Sequence, residues 1–347
     1  MSQSAAFHDH EQVVFANDPA TGLRAVIVIH NTSRGPAFGG CRMKPYENMQ
    51  AALDDALKLS RAMTYKAAIC ELPFGGGKSV ILGDPKTDKT PELLRAMGRF
   101  VNSLNGRYLM ADDVGTTVRD MALIREVSPH ARGMADAAGE PTPATACGVF
   151  MALSAAVACR FGSTNLNGLT VAVQGLGSVG ARLCGYLAGA GAKLVVADTN
   201  PRAVARVATR HQVRVVAPDE IYGAQADVFS PCALGGVLNP TTIDGLYAPI
   251  VVGAANNQLA SADMGDVLKE AGILYVPDYV ANAGGVIDIA HEGPGYDPRQ
   301  VLKDCERLFA ITTEVLARAA AQGQATNRVA DRMAEERFTL PDDRQAA

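Results

Sequence analysis

The first third of the chain mixes strand-like and helix-like patterns of apolar residues. The runs "EQVVFAN" and "LRAVIVIHN", separated by a "DPATG" turn, predict a β-hairpin, and "GPAFGGCRM" predicts a third extended segment. From Glu47 to about Cys70 the apolar residues recur at helical spacing, as in Leu53, Ala56, Leu57, Ser60 and Met63. After the strand "GKSVILG", the segment "TPELLRAMGRFVNSLNG" has proline at its start and glycine at its end, as a helix would.

The second half repeats a strand, helix, strand rhythm. Short apolar runs that predict buried strands alternate with helical segments: "LTVAVQG", "AKLVVAD", "VRVVAP", "ADVFSP", "PIVVGAA" and "GILYVPD". This alternation indicates a parallel sheet covered on both faces by helices. The C-terminal third predicts a long helix from about Asp297 to Ala321 and another near Asn327 to Arg337.

Length and composition limit the class of protein. A chain of 347 residues favours two domains, and the Pro-, Gly- and Ala-rich stretch from Pro129 to Pro143 is the predicted linker. The net charge of −4 and the absence of a basic tract argue against a nucleic-acid partner. No run of about 18 apolar residues predicts a membrane span, and no secretory signal is visible at the N-terminus.

The cysteines and histidines favour neither disulfides nor a metal site. Seven cysteines, odd in number and without a C-x-x-C pair, predict free thiols in a reducing compartment, and hence a cytoplasmic protein. Of six histidines only His8 and His10 are close in sequence, so no metal is expected.

The stretch "LPFGGGKSV" resembles the end of a phosphate-binding loop but fails its pattern. In G-x-x-x-x-G-K-[ST], with Lys78 and Ser79 in the last two places, the first glycine would fall at Leu72. The three glycines in front of Lys78 therefore need another explanation.

A dinucleotide-binding turn is predicted at "VQGLGSVG". The glycines Gly175, Gly177 and Gly180, with Ser178 and Val179 between the last two, form G-x-G-x-x-G between a predicted strand and a predicted helix. The tight turn, the close approach of backbone to a diphosphate and the packing of helix on strand each require one glycine. The alternative is a glycine-rich turn that binds nothing.

Asp198 supports the ligand-binding interpretation. It ends the next predicted strand, at the spacing of the acid that binds the adenosine ribose. Its charge would repel a 2′-phosphate and so favours NAD over NADP, although Arg202 lies nearby in the sequence.

Two lysines and an aspartate are candidates for acid–base chemistry. Lys66 ends a mostly apolar helix, and Lys78 begins an apolar strand behind Gly75, Gly76 and Gly77. A lysine whose pKa falls to about 7–8 through burial or a second cation can act as a general base. Each has an alternative explanation: a lone lysine is usually a solvated charge, and Asp113 could cap a helix that begins near Thr116.

Seven motifs together resemble one enzyme family. "GPAFGGCRM", "MTYKAA", "LPFGGGKSV", "DDVGTT", "VQGLGSVG", "GAANNQL" and "PDYVANAGG" occur in the order found in the leucine, phenylalanine, valine and tryptophan dehydrogenases, relatives of glutamate dehydrogenase. The resemblance runs from about Glu11 to Phe338.

The resemblance implies an α/β fold of two domains with the active site in the cleft between them. Residues 1–135 would form a substrate-binding and oligomerisation domain, to which a C-terminal helix at about 325–347 returns. Residues 136–324 would form a Rossmann-type doubly wound domain that binds NAD. A homo-oligomer is expected.

The resemblance also assigns roles to residues. Lys66 would bind the substrate carboxylate, Lys78 would be the low-pKa general base, assisted by a charge on Lys66, and Asp113 would pair with it or relay its proton. Asn282 would contact substrate and cofactor, and bare backbone at Gly75–Gly77 would approach the substrate. The remaining cofactor contacts would be Thr145, Ala233, Ala255 and Asn256. The implied reaction converts an L-amino acid, NAD and water to a 2-oxo acid, ammonium and NADH.

The side-chain pocket implied by the resemblance is apolar, so glutamate is an improbable substrate. It would be lined by Phe38, Gly39, Met63, Ala111, Val286 and Ile289, with Gly40 contacting the substrate. Phe38 takes the place of a lysine that binds the side-chain carboxylate in glutamate dehydrogenases. Branched-chain substrates are favoured, and aromatic ones are the alternative. Cys41 and Asp112 depart from the family pattern at positions that bear on rate and specificity.

Two other functions remain as alternatives. A two-domain dehydrogenase of hydroxy acids would typically use a histidine base, and no histidine here lies in a glycine-rich context. A non-catalytic NAD-binding oligomer would have no need for Lys66, Lys78, Asp113 and Asn282 together.

Overall fold

The computed structural model describes residues 4, 6–133 and 142–339, which fold into two compact units. The first unit contains the described chain up to Gly133, the segment Ile289–Tyr296 and the residues from Ala334 onwards. The second contains Thr142 to Asp288 and Asp297 to Met333. The predicted boundary at residues 135–136 lies outside the described residues, as do positions 340–347 of the predicted C-terminal helix. The segment Ile289–Tyr296, placed by the sequence in the second domain, belongs to the first unit.

Within the described residues, the first unit is built from five strands and three helices, with the ends of two further helices. Its elements in chain order are β1 (Gln12–Asp18), β2 (Leu23–Asn31), β3 (Ala37–Lys44), α1 (Met49–Ile69), β4 (Gly75–Leu82), α2 (Pro91–Asn102), β5 (Tyr108–Asp112) and α3 (Val118–Arg125). The sheet order is β1-β2-β4-β3-β5. The predicted hairpin is confirmed, because β1 and β2 pair antiparallel from Asp18 opposite Leu23. Strands β3, β4 and β5 are mutually parallel.

Helix α1 covers one face of this sheet and two shorter helices cover the other. Asn48 caps α1, and its buried Ala52, Leu53 and Leu57 pack on Val28 and Val80 of the sheet. The opposite face carries the larger core, with α2 and α3 packed on Tyr108, Met110 and their neighbours. Strand β5 was not predicted from the sequence.

The second unit carries a six-stranded parallel sheet. Its elements in chain order are α4 (Thr142–Phe161), β6 (Thr170–Gln174), α5 (Ser178–Gly189), β7 (Lys193–Ala197), α6 (Pro201–Arg210), β8 (Val213–Val215), β9 (Val228–Pro231), α7 (Pro240–Asp244), β10 (Ile250–Val251), α8 (Met264–Glu270), β11 (Leu274–Tyr275), α9 (Asp278–Ala281), α10 (Gly284–Ala290), α11 (Pro298–Cys305), α12 (Arg307–Gln322) and α13 (Thr326–Phe338). The ends of α10 and α13 belong to the first unit.

The strand order of this sheet is β11-β10-β9-β6-β7-β8. When β6 is counted as strand 1 and the sheet is read from the β8 edge, this is the 3-2-1-4-5-6 order of the doubly wound Rossmann fold. The predicted fold class is therefore confirmed. In such a sheet ligands bind beyond the carboxyl ends of the strands, where the order reverses between β6 and β9.

Two features differ from the sequence predictions. The long helix predicted from Asp297 to Ala321 is interrupted at Glu306, where the backbone N–H donates to the carbonyl of Lys303 in a tighter turn. Helix α4 is long and apolar enough, by length and composition, to cross a membrane. Most of its side chains are buried, including Val149, Leu153 and Val157, as in the core helix of a globular unit.

Candidate functional site

The parallel strands of the first unit gather the predicted catalytic residues on one face of the sheet. Alternate residues of a strand face the same way, and residues paired between neighbouring strands share a face. Phe38 pairs with Gly76 and Gly40 with Ala111. The face covered by α1 therefore carries Phe38, Gly40 and Arg42 from β3, Gly76, Lys78 and Val80 from β4, and Leu109 and Ala111 from β5. Asp113 follows directly after β5.

Lys78 and Asp113 form a buried ion pair on this face. The Lys78 side chain is 6% exposed and that of Asp113 is 16% exposed. The Nζ of Lys78 donates to Oδ2 of Asp113, while Oδ1 of Asp113 accepts the Val114 N–H at 2.5 Å. The structure thus brings together the predicted base and its predicted acidic partner.

The surroundings of Lys78 favour its neutral form. Burial, followed by the positive charge of Arg42, lowers the pKa of Lys78 from 10.5 to about 7, and Lys66 acts in the same direction with less effect. Contact with Asp113 favours the protonated form. An amine poised in this way takes up or releases a proton near neutral pH, as a general base requires.

Asp113 is held in the turn after β5 through its backbone N–H and does not cap a helix. Thr116 accepts the Asp113 N–H at 3.0 Å through Oγ1, which also donates to the Cys41 carbonyl at 2.7 Å. Helix α3 is instead capped by Thr117, whose side chain forms a capping box with Asp120. The capping alternative for Asp113 is therefore wrong, and its carboxylate is left to face Lys78.

The glycines before Lys78 are required first by the protein's own packing. A Cβ on Gly76 would lie 2.1 Å from the Thr64 nitrogen of α1, and one on Gly75 would lie 1.8 Å from the Asn31 carbonyl oxygen. Gly39 and Gly77 face the opposite side of the sheet, where a Cβ on Gly77 would lie 2.8 Å from the Tyr108 ring. Of the three glycines, only Gly76 shares a face with Lys78. The approach of the backbone at Gly75–Gly77 to the substrate stays a prediction, as does that of Gly39.

The predicted pocket residues are distributed over both units. Phe38 is buried, with its ring centroid 5.6 Å from that of Phe74, and Ala111 is buried beside it. Met63 is half-buried on α1, three residues before the half-buried Lys66. Ile289 belongs to the first unit and Val286 to the second. Their joint role as a pocket stays a prediction.

Sequence reasoning missed Arg42, which contacts Asp113 of the Lys78–Asp113 pair. Its Nη2 lies 3.5 Å from Oδ1 of Asp113, and its Nη1 donates to Oδ2 of Asp55 at 3.1 Å. A signal was present, since Arg42 follows Gly40 at the spacing that puts both on one face of a strand.

The glycine-rich turn of the second unit fits a diphosphate. Gly177 is the N-cap of α5, and among the described residues no side chain caps this helix, so its first N–H groups can receive an anion. A Cβ on Gly177 would have no heavy atom within 4 Å, whereas one on Gly180 would lie 2.0 Å from the Gly175 carbonyl oxygen. Gly175 has φ +94°, which side chains disfavour. Ser178 and Val179 form the first turn of α5.

Asp198 joins this turn to the end of β7. Its Oδ2 accepts the Leu176 N–H at 2.6 Å and its Oδ1 accepts the Asn200 N–H at 2.7 Å. The carboxylate therefore lies beside the glycine-rich turn, where the sequence predicted it. Arg202 is exposed in the first turn of α6.

The remaining predicted cofactor residues converge at the same edge of the sheet. Ala233, after β9, lies over the glycine turn, since a Cβ on Gly175 would be 2.7 Å from its own. Asn282 donates through Nδ2 to the Asn256 side chain at 2.8 Å and to the Ala254 carbonyl at 3.1 Å.

Asn282 keeps one unused acceptor in this region. It is buried, and its Oδ1 has no donor among the residues that the structure describes. A buried amide oxygen without a donor is costly, so it fits a ligand that supplies an N–H group. Thr145 lies close by, because a Cβ on Gly284, two residues after Asn282, would be 2.8 Å from the Thr145 nitrogen. Ala255 is buried beside Asn256.

Comparison with known proteins gives a consistent result. Residues 10–129 match the model of the Glu/Leu/Phe/Val dehydrogenase dimerisation domain, and residues 195–293 match that of the glutamate/leucine/phenylalanine/valine dehydrogenases. The chain is 47% identical over 334 residues to leucine dehydrogenase of Bacillus subtilis (strain 168), covering 95% of this chain and 92% of that protein. It is 46% identical over 331 residues to L-tryptophan dehydrogenase of Nostoc punctiforme (strain ATCC 29133 / PCC 73102), covering 95% and 94%.

Solved structures agree with these matches. The crystal structure of L-tryptophan dehydrogenase from Nostoc punctiforme superposes with a TM-score of 0.85 at 45% identity, covering 95% of each chain. The hetero-hexameric glutamate dehydrogenase from Thermus thermophilus gives 0.76 at 27% identity, covering 95% of this chain and 88% of that one. With both units matched at this level of identity, the chain belongs to the glutamate, leucine, phenylalanine and valine dehydrogenase family.

Proposed function

We propose that the chain catalyses the reversible NAD-dependent oxidative deamination of an apolar L-amino acid, with branched-chain substrates such as leucine and valine favoured. The observation that carries the proposal is the buried Lys78–Asp113 pair, in which burial and Arg42 bring the pKa of the amine to about 7. Family membership supports the reaction class. In the overall reaction an L-amino acid, NAD⁺ and water give a 2-oxo acid, ammonium, NADH and a proton.

The residues of the first unit have the following roles in this proposal. Lys66 holds the substrate carboxylate. The substrate nitrogen reacts as the free amine, after its ammonium has released a proton to solvent. A bound nicotinamide would supply the acceptor for the hydride on Cα, and loss of that hydride converts the amine to an iminium. Neutral Lys78 then removes a proton from a water as the water oxygen bonds to Cα, and Asp113, in contact with Nζ, stabilises the ammonium that forms. Lys78 returns this proton to the substrate nitrogen, and the C–N bond breaks as the electron pair of the hydroxyl O–H bond closes the carbonyl. The departing ammonia takes the hydroxyl proton and becomes ammonium.

Substrate choice rests on Phe38. Its buried ring lies on the face that carries Lys78 and is fixed against Phe74, so it fills space that a large side chain would need. That favours branched aliphatic substrates. The aromatic alternative is supported by the similarity to tryptophan and phenylalanine dehydrogenases. Ranking kcat/KM for leucine, valine, phenylalanine and tryptophan, with matched hydroxy acids, decides between them. Activity only on hydroxy acids would contradict the proposal, as would the absence of activity on every substrate of the panel.

Lys78→Ala tests the assigned base. We expect turnover to be lost while the affinity for NADH, measured by fluorescence titration, stays within about twofold. Lys58→Ala, which removes an exposed lysine of α1, is the matched control and should keep wild-type activity. Lys66→Ala should mainly raise KM for the amino acid, because it removes binding shared by ground and transition states. Wild-type turnover in Lys78→Ala would refute the mechanism.

The family implies a nicotinamide cofactor, and Asp198 leads us to propose NAD. Its carboxylate beside the glycine turn disfavours a 2′-phosphate. Asp198→Asn keeps an oxygen for the Leu176 N–H but removes the charge, so the ratio of kcat/KM for NAD to that for NADP should fall. Arg202→Gln should raise it. An unchanged ratio in Asp198→Asn would contradict the assignment.

We also propose a cytoplasmic homo-oligomer. The domain matched by residues 10–129 is described as a dimerisation domain, and the Thermus thermophilus relative is a hexamer. Light scattering coupled to size-exclusion chromatography gives the number of subunits, and a monomer would contradict this proposal.

A further inference from the structure

Arg42 connects two carboxylates on the face that carries Lys78. Its guanidinium lies 3.1 Å from Oδ2 of Asp55 on α1 and 3.5 Å from Oδ1 of Asp113 after β5. Asp55 is held from other sides as well, since the Tyr46 hydroxyl donates to its Oδ2 at 2.5 Å and Lys44 Nζ lies 3.6 Å away. The guanidinium is thus fixed at a point where β3, α1 and the β5 turn meet.

This arrangement is more constrained than a surface ion pair. The Arg42 side chain is 19% exposed, and its Nε is buried with no acceptor among the described residues. An unsatisfied buried donor costs stability, so the two carboxylate contacts must hold the side chain against that cost. Only arginine can reach both, because its planar fork presents separate nitrogens to separate acceptors.

We propose that Arg42 is a positioning residue for the proposed reaction. Anchored on Asp55, it holds one oxygen of the Asp113 carboxylate while Lys78 holds the other, so that Asp113 is shared between two cations. The inference rests on the proposed function only in taking Lys78 as the base.

The sharing has a consequence for the proton on Lys78. The positive charge of Arg42 offsets part of the negative charge of Asp113, which would otherwise stabilise the Lys78 ammonium. The Arg42 charge also repels that ammonium directly. The other charged or titratable groups that act on Lys78 are Asp55 and Lys66 on α1 and, from the opposite face of the sheet, Cys41 on β3. Lys66 lowers the pKa of Lys78, while Asp55 and Cys41 raise it. Loss of the Arg42 charge should therefore favour protonated Lys78, and loss of the Asp55 charge should disfavour it.

Competitive acetylation measures this proton without turnover. Trace acetic anhydride is added to the folded protein across pH 5–11, and mass spectrometry compares acetylation of Lys78 with that of exposed Lys193. The wild-type midpoint for Lys78 is expected near 7. Arg42→Gln should raise it by about one pH unit, the size of effect that a neighbouring charge usually has. Asp55→Asn keeps an oxygen for the guanidinium and should lower it.

The opposite signs separate positioning from a merely structural role. A variant that only loosened the fold would not move the two midpoints in opposite directions. Arg42→Lys restores the charge but cannot reach both carboxylates, so its midpoint should lie between wild type and Arg42→Gln. Should Arg42→Gln fail to fold, as judged by circular dichroism, Arg42→Lys and Asp55→Asn still decide. An unchanged midpoint in the folded variants, or a rise in Asp55→Asn, overturns the proposal.

Activity provides the second readout. The pH at which kcat for deamination reaches half its maximum should move in each variant by the amount seen in acetylation. Arg95→Gln, which removes a surface arginine paired with Glu126, is the matched control and should leave both unchanged. If no amino acid is turned over but the midpoints move as stated, the proposed function fails and this inference stands. If the wild-type protein turns over amino acids but the midpoints do not move in the variants, this inference fails and the proposed function stands.

Discussion

At Lys78 a cationic side chain is carried by a strand whose other side chains are hydrogen, hydroxyl or aliphatic groups. Nothing in the residue type distinguishes it from a solvated lysine, and its chemistry comes from burial and from Arg42. Tyr108 lies on the face of the sheet opposite Lys78 and holds β3, the strand next to the one that carries Lys78. Its buried hydroxyl donates to the Gly39 carbonyl at 2.9 Å and so fixes the neighbouring strand.

Phe38→Leu is predicted to widen the range of substrates. Replacing the ring with a smaller side chain removes volume on the Lys78 face, so kcat/KM for phenylalanine relative to leucine should rise by about tenfold, a usual effect of a small change in an apolar pocket. Steady-state kinetics on both substrates checks this. Phe74→Leu removes the ring that Phe38 packs on and should change the ratio much less. A ratio that moves equally in both variants would contradict the assignment of Phe38.

At the scale of elements, two glycines illustrate different demands. Gly76 lets α1 lie against β4, since its missing Cβ would overlap the Thr64 backbone, whereas Gly177 leaves open space at the start of α5. The first is a packing requirement within the protein, and the second agrees with the diphosphate site that we propose at this turn.

Exchanging each for alanine should separate these demands. Gly76→Ala is expected to lower the free energy of unfolding by at least about 2 kcal/mol, because α1 must shift. Gly177→Ala should cost no more than about 1 kcal/mol, the difference between a good and a poor N-cap. It should nevertheless weaken NADH binding tenfold or more. Urea unfolding and fluorescence titration on both variants measure these effects, and a stable Gly76→Ala protein would contradict the packing argument.

Two buried histidines, His10 and His30, contact helix α1 in the first unit. His30 lies where the register of β2 against β4 shifts, and its Nδ1 is 2.8 Å from Thr64 Oγ1. The ring of His10 contacts it edge-on at 4.7 Å. Burial lowers the pKa of His30 from 6.5 to about 3, with His10, Arg61 and His8 acting in the same direction. Burial also lowers the pKa of His10.

Acid is therefore predicted to weaken the first unit through His30. Above pH 6.5 the ring is neutral in both folded and unfolded chains. Between 6.5 and about 3 only the unfolded chain binds the proton, so stability falls with pH by up to about 1.4 kcal/mol per unit. His30→Gln should be less stable at pH 7.5, and its deficit should shrink as the pH falls to 4.5. Urea titrations followed by circular dichroism test this, with His211→Gln in the second unit as control. A deficit independent of pH would contradict it.

For the whole molecule, charge is unevenly distributed. The net charge is −4, yet residues 161–218 carry six basic side chains (Arg182, Lys193, Arg202, Arg206, Arg210 and Arg214) and one acidic side chain (Asp198). Three of these arginines line a groove between α5 and α6 that reaches Gly177 and Ser178. The arginines therefore give this groove a positive electrostatic potential next to the predicted diphosphate site.

Removing charge from this groove should slow cofactor association. In Arg206→Gln with Arg210→Gln, stopped-flow fluorescence is expected to show NADH binding several-fold more slowly at 20 mM salt and nearly as fast as wild type at 500 mM, where exposed charges are screened. The dissociation rate should change little. Lys269→Gln with Arg299→Gln removes the same charge elsewhere in the second unit and is the control. Equal slowing in both pairs would attribute the effect to net charge alone.

The sequence predicted those parts of the molecule that local chemistry determines. The hairpin, the helix that begins at Pro91 and the turn from Gly175 to Gly180 are each specified within a short stretch. Lys78 and Asp113 could each be singled out as candidates, but their pairing could be proposed only through resemblance, because 35 residues separate them. Arg42 was missed for the same reason, since its partners Asp55 and Asp113 come from a helix and a later turn.

Strand β4 is hydrogen-bonded along both edges, to β2 on one side and β3 on the other, and Lys78 lies in its middle. Backbone amides in such a position exchange with deuterium only when a large part of their unit opens. The amide of Val80, one step along the same face, should thus rank among the slowest of the first unit. Heating would then inactivate the protein by cooperative melting of this sheet, with no earlier local opening at Lys78, the proposed base.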